Sequence, residues 1–111
     1  MTRGNIYLVD FEPSKGSEIR KKRPALIISC NESNKYLRTV TVIPFSSKTE
    51  RIFSFEVLVK KDASGLDVDS KLKVTQIRTV DKGRLTKYIG SVNDFILSEV
   101  EKAVKLHLGI D

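Results

Sequence analysis

Apolar residues along the chain fall into short runs parted by polar stretches, the pattern of a sheet of short strands. Ile6-Tyr7-Leu8-Val9-Asp10-Phe11 is rich in β-branched, aromatic and aliphatic side chains and predicts a strand that turns at Glu12-Pro13. A polar loop, Ser14 to Lys22, follows. Ala25 to Ser29 is almost continuously apolar and predicts a strand buried on both faces, with Pro24 at its first position, where a missing N–H is tolerated. Asn31 to Lys35 carries turn residues. Thr39 to Ile43 predicts the next strand, ended by Pro44, and Ser46 to Arg51 a polar loop. Phe55 to Val59, Leu72 to Thr75 and Tyr88 to Ser91 predict three further strands, with a turn at Asp62 to Gly65.

The period then changes. Ile96, Val100, Ala103, Val104 and His107 or Leu108 recur at helical spacing. Asn93 is placed to cap this helix, Val92 and Leu97 to staple its start, and Gly109 to stop it in the left-handed conformation. Six or so strands and one C-terminal helix predict a mostly β fold, a small, strongly curved antiparallel barrel, as a single domain over residues 1–111.

Hydrophobic residues make up 40% of the 111 positions and charged residues 31%, the balance of a globular chain. No apolar run approaches the ~20 residues of a membrane span, and residues 1–5 lack the features of a secretory signal, so a cytoplasmic location and no membrane partner are expected. Cys30 is the only cysteine, which rules out an intramolecular disulfide; a packing role is expected for it. Twenty Lys and Arg against fourteen Asp and Glu give a net charge of +6, which favours a polyanionic or acidic partner. Asp67 and Asp69 lack a third carboxylate and read as turn residues, so no metal and no cofactor are expected.

Three segments in order carry a resemblance. Gly4 to Pro13 with Gly16-Ser17-Glu18 is the first, Arg23-Pro24-Ala25 entering an apolar strand the second, and Gln76-Ile77-Arg78-Thr79-Val80-Asp81-Lys82 with Arg84-Leu85 the third. Together they resemble toxins of the MazF/PemK family over nearly the whole chain. The resemblance implies an SH3-like (PemK/CcdB-like) barrel, a homodimer, and sequence-specific, metal-independent cleavage of single-stranded RNA that leaves a 2′,3′-cyclic phosphate and a 5′-hydroxyl. It also implies inhibition of translation and growth, and neutralisation by a cognate acidic, MazE-like antitoxin. Family catalytic positions fall on Arg23, on Ser46, where threonine is more usual, and on the acidic Glu18. RNA-binding positions fall on Ser17, Lys21, Ser47 and Gln76.

Chemistry supports and limits that assignment. Cleavage by the RNA's own 2′-hydroxyl needs a base, stabilisation of the phosphorane, and help for the leaving 5′-oxygen. With His107 as the sole histidine, a two-histidine mechanism is excluded by count. Arg23 offers a permanent charge that holds two phosphate oxygens at once. Ser46 can donate a hydrogen bond to a phosphate oxygen, Ser47 beside it being the alternative, and Glu18 can serve as base or read a nucleobase edge. Lys15, Arg20, Lys21 and Lys22 surround Arg23 in sequence and would attract the RNA backbone without reading it. Phe45, Phe53 and Phe55 offer either stacking surfaces or core, with at least two of them expected in the core. Two rival readings remain: a gyrase-poisoning toxin on the same fold, and a non-catalytic RNA-binding barrel.

Overall fold

The computed structural model describes residues 1–111. Seven strands form: β1 (Asn5–Asp10), β2 (Lys22–Ile27), β3 (Thr39–Ser46), β4 (Glu56–Val59), β5 (Ser70–Lys73), β6 (Arg78–Asp81) and β7 (Leu85–Ser91). A short helix α1 (Asn31–Tyr36) joins β2 to β3, and α2 (Asp94–Leu108) ends the chain. The strands pair antiparallel in the order β4-β5-β3-β2-β1-β7, with β6 beside the first half of β3.

The two-faced burial expected from the apolar run at β2 is observed: Ala25, Leu26 and Ile27 are all fully buried. Alternating side chains divide the core in two. Ile6, Leu26, Ile43, Phe45 and Leu72 pack with Leu97, Val100 and Ala103 of α2, while Val9, Phe11, Ala25, Ile27, Val40, Val42 and Val80 form a second cluster on the other face. The helix has the ends its sequence predicts. Asn93 Oδ1 accepts the Ile96 N–H at 2.9 Å, and Gly109 takes the left-handed conformation at φ 71°.

Several local expectations are corrected. Pro24 is the third residue of β2, not its first. It pairs with Leu8 on one side, and the ladder to β3 begins only at Ala25, so on that side the strand is still an edge. Pro44 does not end β3. That strand bonds β6 through Thr39–Val42 and β5 through Phe45–Ser46, and the proline falls in the gap between the two ladders, where no N–H is needed. Ser46 is therefore the last strand residue rather than the first of a loop. The Asn31–Lys35 turn is helical: Asn34 is buried, its amide donates to the Ser29 carbonyl at 2.9 Å, and its backbone carbonyl accepts from Lys82. Cys30 is exposed rather than packed, and hydrogen bonding to the Ser33 hydroxyl and then its backbone holds the thiol below its usual value. Of the three phenylalanines only Phe45 is core; Phe53 and Phe55 lie in the connection before β4 and stay exposed.

The curved sheet does not close by hydrogen bonds, since β4 and β7 each keep a free edge. Its ends meet by backbone contact instead. A Cβ on Gly90 would lie 2.0 Å from the Ser64 carbonyl oxygen, and one on Gly65 2.8 Å from the Ile89 carbonyl oxygen. Glycine at both positions lets the β4–β5 connection rest on β7. No helix is long and apolar enough to cross a membrane.

Candidate nucleic-acid interface

The loop between β1 and β2 is held at its base by its own backbone. The Phe11 N–H donates to the Lys21 carbonyl at 2.9 Å, and the Lys21 N–H donates to Glu12 Oε1 at 2.8 Å. Arg84 donates to the Asp10 and Glu12 carbonyls from below. Lys21 itself sits at φ 64°, a left-handed conformation unfavourable for a side chain with a Cβ. Such strain is retained where surrounding bonds impose it, and here it sets the turn directly before Lys22 and Arg23.

Arg23 is half-buried, and its Nε donates to the Arg20 carbonyl at 3.2 Å, which leaves both terminal nitrogens without a partner in the chain. Its register partner on β1 is Val9, so it lies on the face of the second cluster. Ser46 has the same parity as Val40 and Val42 and shares that face. The β2–β3 ladder ends at Ala25–Pro44, two residues short of Arg23 and Ser46, so the two share a face without pairing. Ser46 is 9% exposed, and its Oγ accepts the Lys48 N–H at 3.2 Å, so its own proton is free to be donated elsewhere.

Where β2 and β3 part, a cleft of about 470 Å³ opens, lined by Lys22, Arg23, Ser47, Asp67, Lys87 and Tyr88 among others. A second cleft of about 310 Å³ is lined by Glu18, Ile19, Thr75, Gln76, Ile77 and Arg78. Ile19 packs on the second cluster and the Arg78 guanidinium lies 5.5 Å from the Phe11 ring, so this smaller cleft belongs to the face of Arg23 and Ser46. Glu18 and Gln76 are thus brought together in the smaller hollow and Arg23 and Ser47 in the larger one, while Ser46 lines neither. Glu18 accepts the Lys15 N–H, and Gln76 Oε1 accepts the Ile19 N–H at 3.4 Å. Ser17 and Lys21 are exposed on the loop above and line neither hollow.

The electrostatics favour an anion. None of the chain's five ion pairs uses Lys15, Arg20, Lys21, Lys22, Arg23, Arg78 or Lys87. No three His, Cys, Asp or Glu side chains group as a metal site would require. Arg78, Lys87 and Tyr88 escaped the sequence reading. Arg78 lies inside the third motif and Tyr88 opens the predicted strand, neither with a role of its own, while Lys87 precedes that strand's predicted start.

Basic groups outside every ion pair, gathered around Arg23 on a curved mostly β fold with a C-terminal helix, define a small β domain whose surface is suited to an anion. Residues 2–108 match the family described as PemK-like, MazF-like toxin of type II toxin–antitoxin system, and the chain belongs to that family. It is 36% identical over 115 residues to Endoribonuclease MazF9 of Mycobacterium tuberculosis, covering 99% of this chain and 98% of that protein. Endoribonuclease MazF of Staphylococcus saprophyticus is likewise 36% identical, over 111 residues, with 99% of this chain and 92% of that protein covered. Among solved structures, MazF (Form-I) from Deinococcus radiodurans superposes with a TM-score of 0.86 at 23% identity, covering 99% of this chain and 97% of that one. A mycobacterial endoribonuclease in complex with its cognate antitoxin superposes at 0.78 and 22% identity, covering 100% and 97%.

Proposed function

We infer that the chain is an endoribonuclease toxin that cuts single-stranded RNA at specific sequences without a metal, through the RNA's own 2′-hydroxyl. The observation that carries this is the shared face of Arg23 and Ser46 within a family whose relatives are named endoribonucleases. The 2′-oxygen bonds to phosphorus and the P–O5′ bond breaks, the departing 5′-oxygen taking a proton from solvent water, which leaves a 2′,3′-cyclic phosphate and a 5′-hydroxyl. Arg23 holds the non-bridging oxygens as negative charge builds in the phosphorane. The Ser46 hydroxyl donates a hydrogen bond to one of them. Glu18 is the carboxylate of the same face available to take the 2′-hydroxyl proton, and Gln76 and Arg78 beside it offer donors and an acceptor to a base edge. Ser17, Lys21 and Ser47 hold the flanking backbone.

In this reading residues 1–111 act as one toxin domain in the cytoplasm, working as a homodimer to stop translation and growth. An acidic, MazE-like antitoxin segment neutralises it by occupying the unpaired basic surface and folding as it binds. The test is incubation of the purified protein with RNA in excess EDTA. Cleavage with new 5′-hydroxyl ends is expected to persist, and activity lost to the chelator overturns the metal-free mechanism.

A further inference from the structure

The segment between Ser46 and β4 contains the strongest feature that the proposed mechanism leaves unused. Phe53 is 54% exposed and Arg51 is exposed beside it, while beneath them lies an ion pair nearly sealed from water. Lys71 Nζ stands 2.8 Å from Glu56 Oε1, with the two side chains 7% and 6% exposed, and Lys73 Nζ approaches the other carboxylate oxygen at 3.5 Å. The remaining bonds of both charges go to the same short stretch of loop. Lys71 Nζ donates to the Arg51 carbonyl at 2.9 Å, and Glu56 Oε1 accepts the Phe53 N–H at 2.9 Å. The backbone is thus pinned on either side of Ile52.

The ring is also set in a positive field. The Arg51 guanidinium lies 5.5 Å from its centroid and Lys71 Nζ 5.3 Å. Lys71 is the register partner of Ser46, so the pinned loop rises next to the catalytic face rather than at a distant edge.

We propose that Phe53 and Arg51 form a stacking platform for a nucleobase and its phosphate beside the Arg23–Ser46 face, with the buried Lys71–Glu56 pair as the positioning device that holds it. The inference rests on the reading of this face as one that receives single-stranded RNA. An exposed aromatic ring accepts any base, because every base has a π-face, and a neighbouring arginine neutralises the backbone. The platform therefore supplies grip on the strand, while the Glu18–Gln76 cleft is left to discriminate bases.

The test measures binding of two probes: a mixed-sequence single-stranded RNA pool, 2′-O-methylated to block self-cleavage, and an abasic strand of the same length and backbone. The wild-type protein is expected to prefer the base-bearing pool, and Phe53→Ala to lose about tenfold of that preference. Phe53→Trp is expected to keep it, and Arg51→Ala to lower the salt slope of binding by about 1. Glu56→Gln is expected to reduce the preference and the hydrogen-exchange protection of the Phe53 amide together, with both contact residues intact. Unchanged base preference in Phe53→Ala, or none in the wild type, overturns the platform. A wild type that shows the preference but leaves unmodified RNA uncut removes the endoribonuclease reading and leaves the platform standing.

Discussion

Replacing Arg23 with alanine is expected to slow RNA cleavage by about a thousandfold, the scale of removing a preorganised donor to a developing oxyanion. Arg23 is the half-buried cation on the face of Ser46, and its terminal nitrogens have no partner in the chain. Binding should change far less, because Lys15, Arg20, Lys21 and Lys22 remain exposed and unpaired to attract the backbone. Lysine at position 23 should restore only part of the rate, since an ammonium cannot hold two oxygens in one plane. Single-turnover rates together with affinity for a 2′-O-methylated RNA separate these effects. A variant that binds poorly but cuts at the normal rate once saturated would move Arg23 from chemistry to binding.

The second large effect concerns stability. Glu56→Gln is expected to lower the free energy of unfolding by about 3 kcal/mol, because it leaves the Lys71 ammonium buried with no counter-charge. Lys71→Met should cost less, since Glu56 keeps Lys73 at 3.5 Å. Burial acts to raise the Glu56 pKa, but the Lys71 hydrogen bond, the Phe53 N–H and the charges of Lys71 and Lys73 outweigh it and hold the carboxyl below its ordinary value of 4.5. A carboxylate with a depressed folded pKa contributes its full stability above the unfolded value and loses it as pH falls through the folded value. Wild-type stability should therefore decline below about pH 4.5 more steeply than that of Glu56→Gln, which lacks this titration. Urea unfolding at a series of pH values reads both effects, and parallel pH curves would contradict the assignment.

Local devices were the most legible in the sequence. Asn93 caps and Gly109 stops α2 as anticipated, because each acts on backbone within one turn of itself. Pro44 misled because whether a proline ends a strand depends on what lies along the edge its nitrogen faces, and here that edge is the junction between β6 and β5. Asn31 to Lys35 read as a turn for a related reason: Asn34 becomes a buried helical residue only when Ser29 and Lys82 supply its partners. The strand β6 was hidden inside a motif of polar residues, where Val80 alone among its four residues is buried. The mostly β antiparallel fold with its C-terminal helix is as expected, but the sheet's ends touch through Gly65 and Gly90 without pairing, and glycine spacing does not announce such a contact.

At the site the balance is similar. Arg23 and Gln76 could be picked out because they sit in ordered motifs, and the structure sets Arg23 on the Ser46 face and Gln76 beside Glu18. The Lys71–Glu56 pair could not, since its partners meet only through the β4–β5 ladder and the loop they hold. Exposed phenylalanines on that loop were equally ambiguous until burial separated Phe45 from Phe53.

The central claim is attack by the RNA's own 2′-hydroxyl on a phosphate held by Arg23 and Ser46. It is tested most directly by mapping one cut site and replacing the ribose on its 5′ side with 2′-deoxyribose in an otherwise identical strand. The account predicts that the modified strand binds as before and is not cut at that position. Continued cleavage there would contradict it.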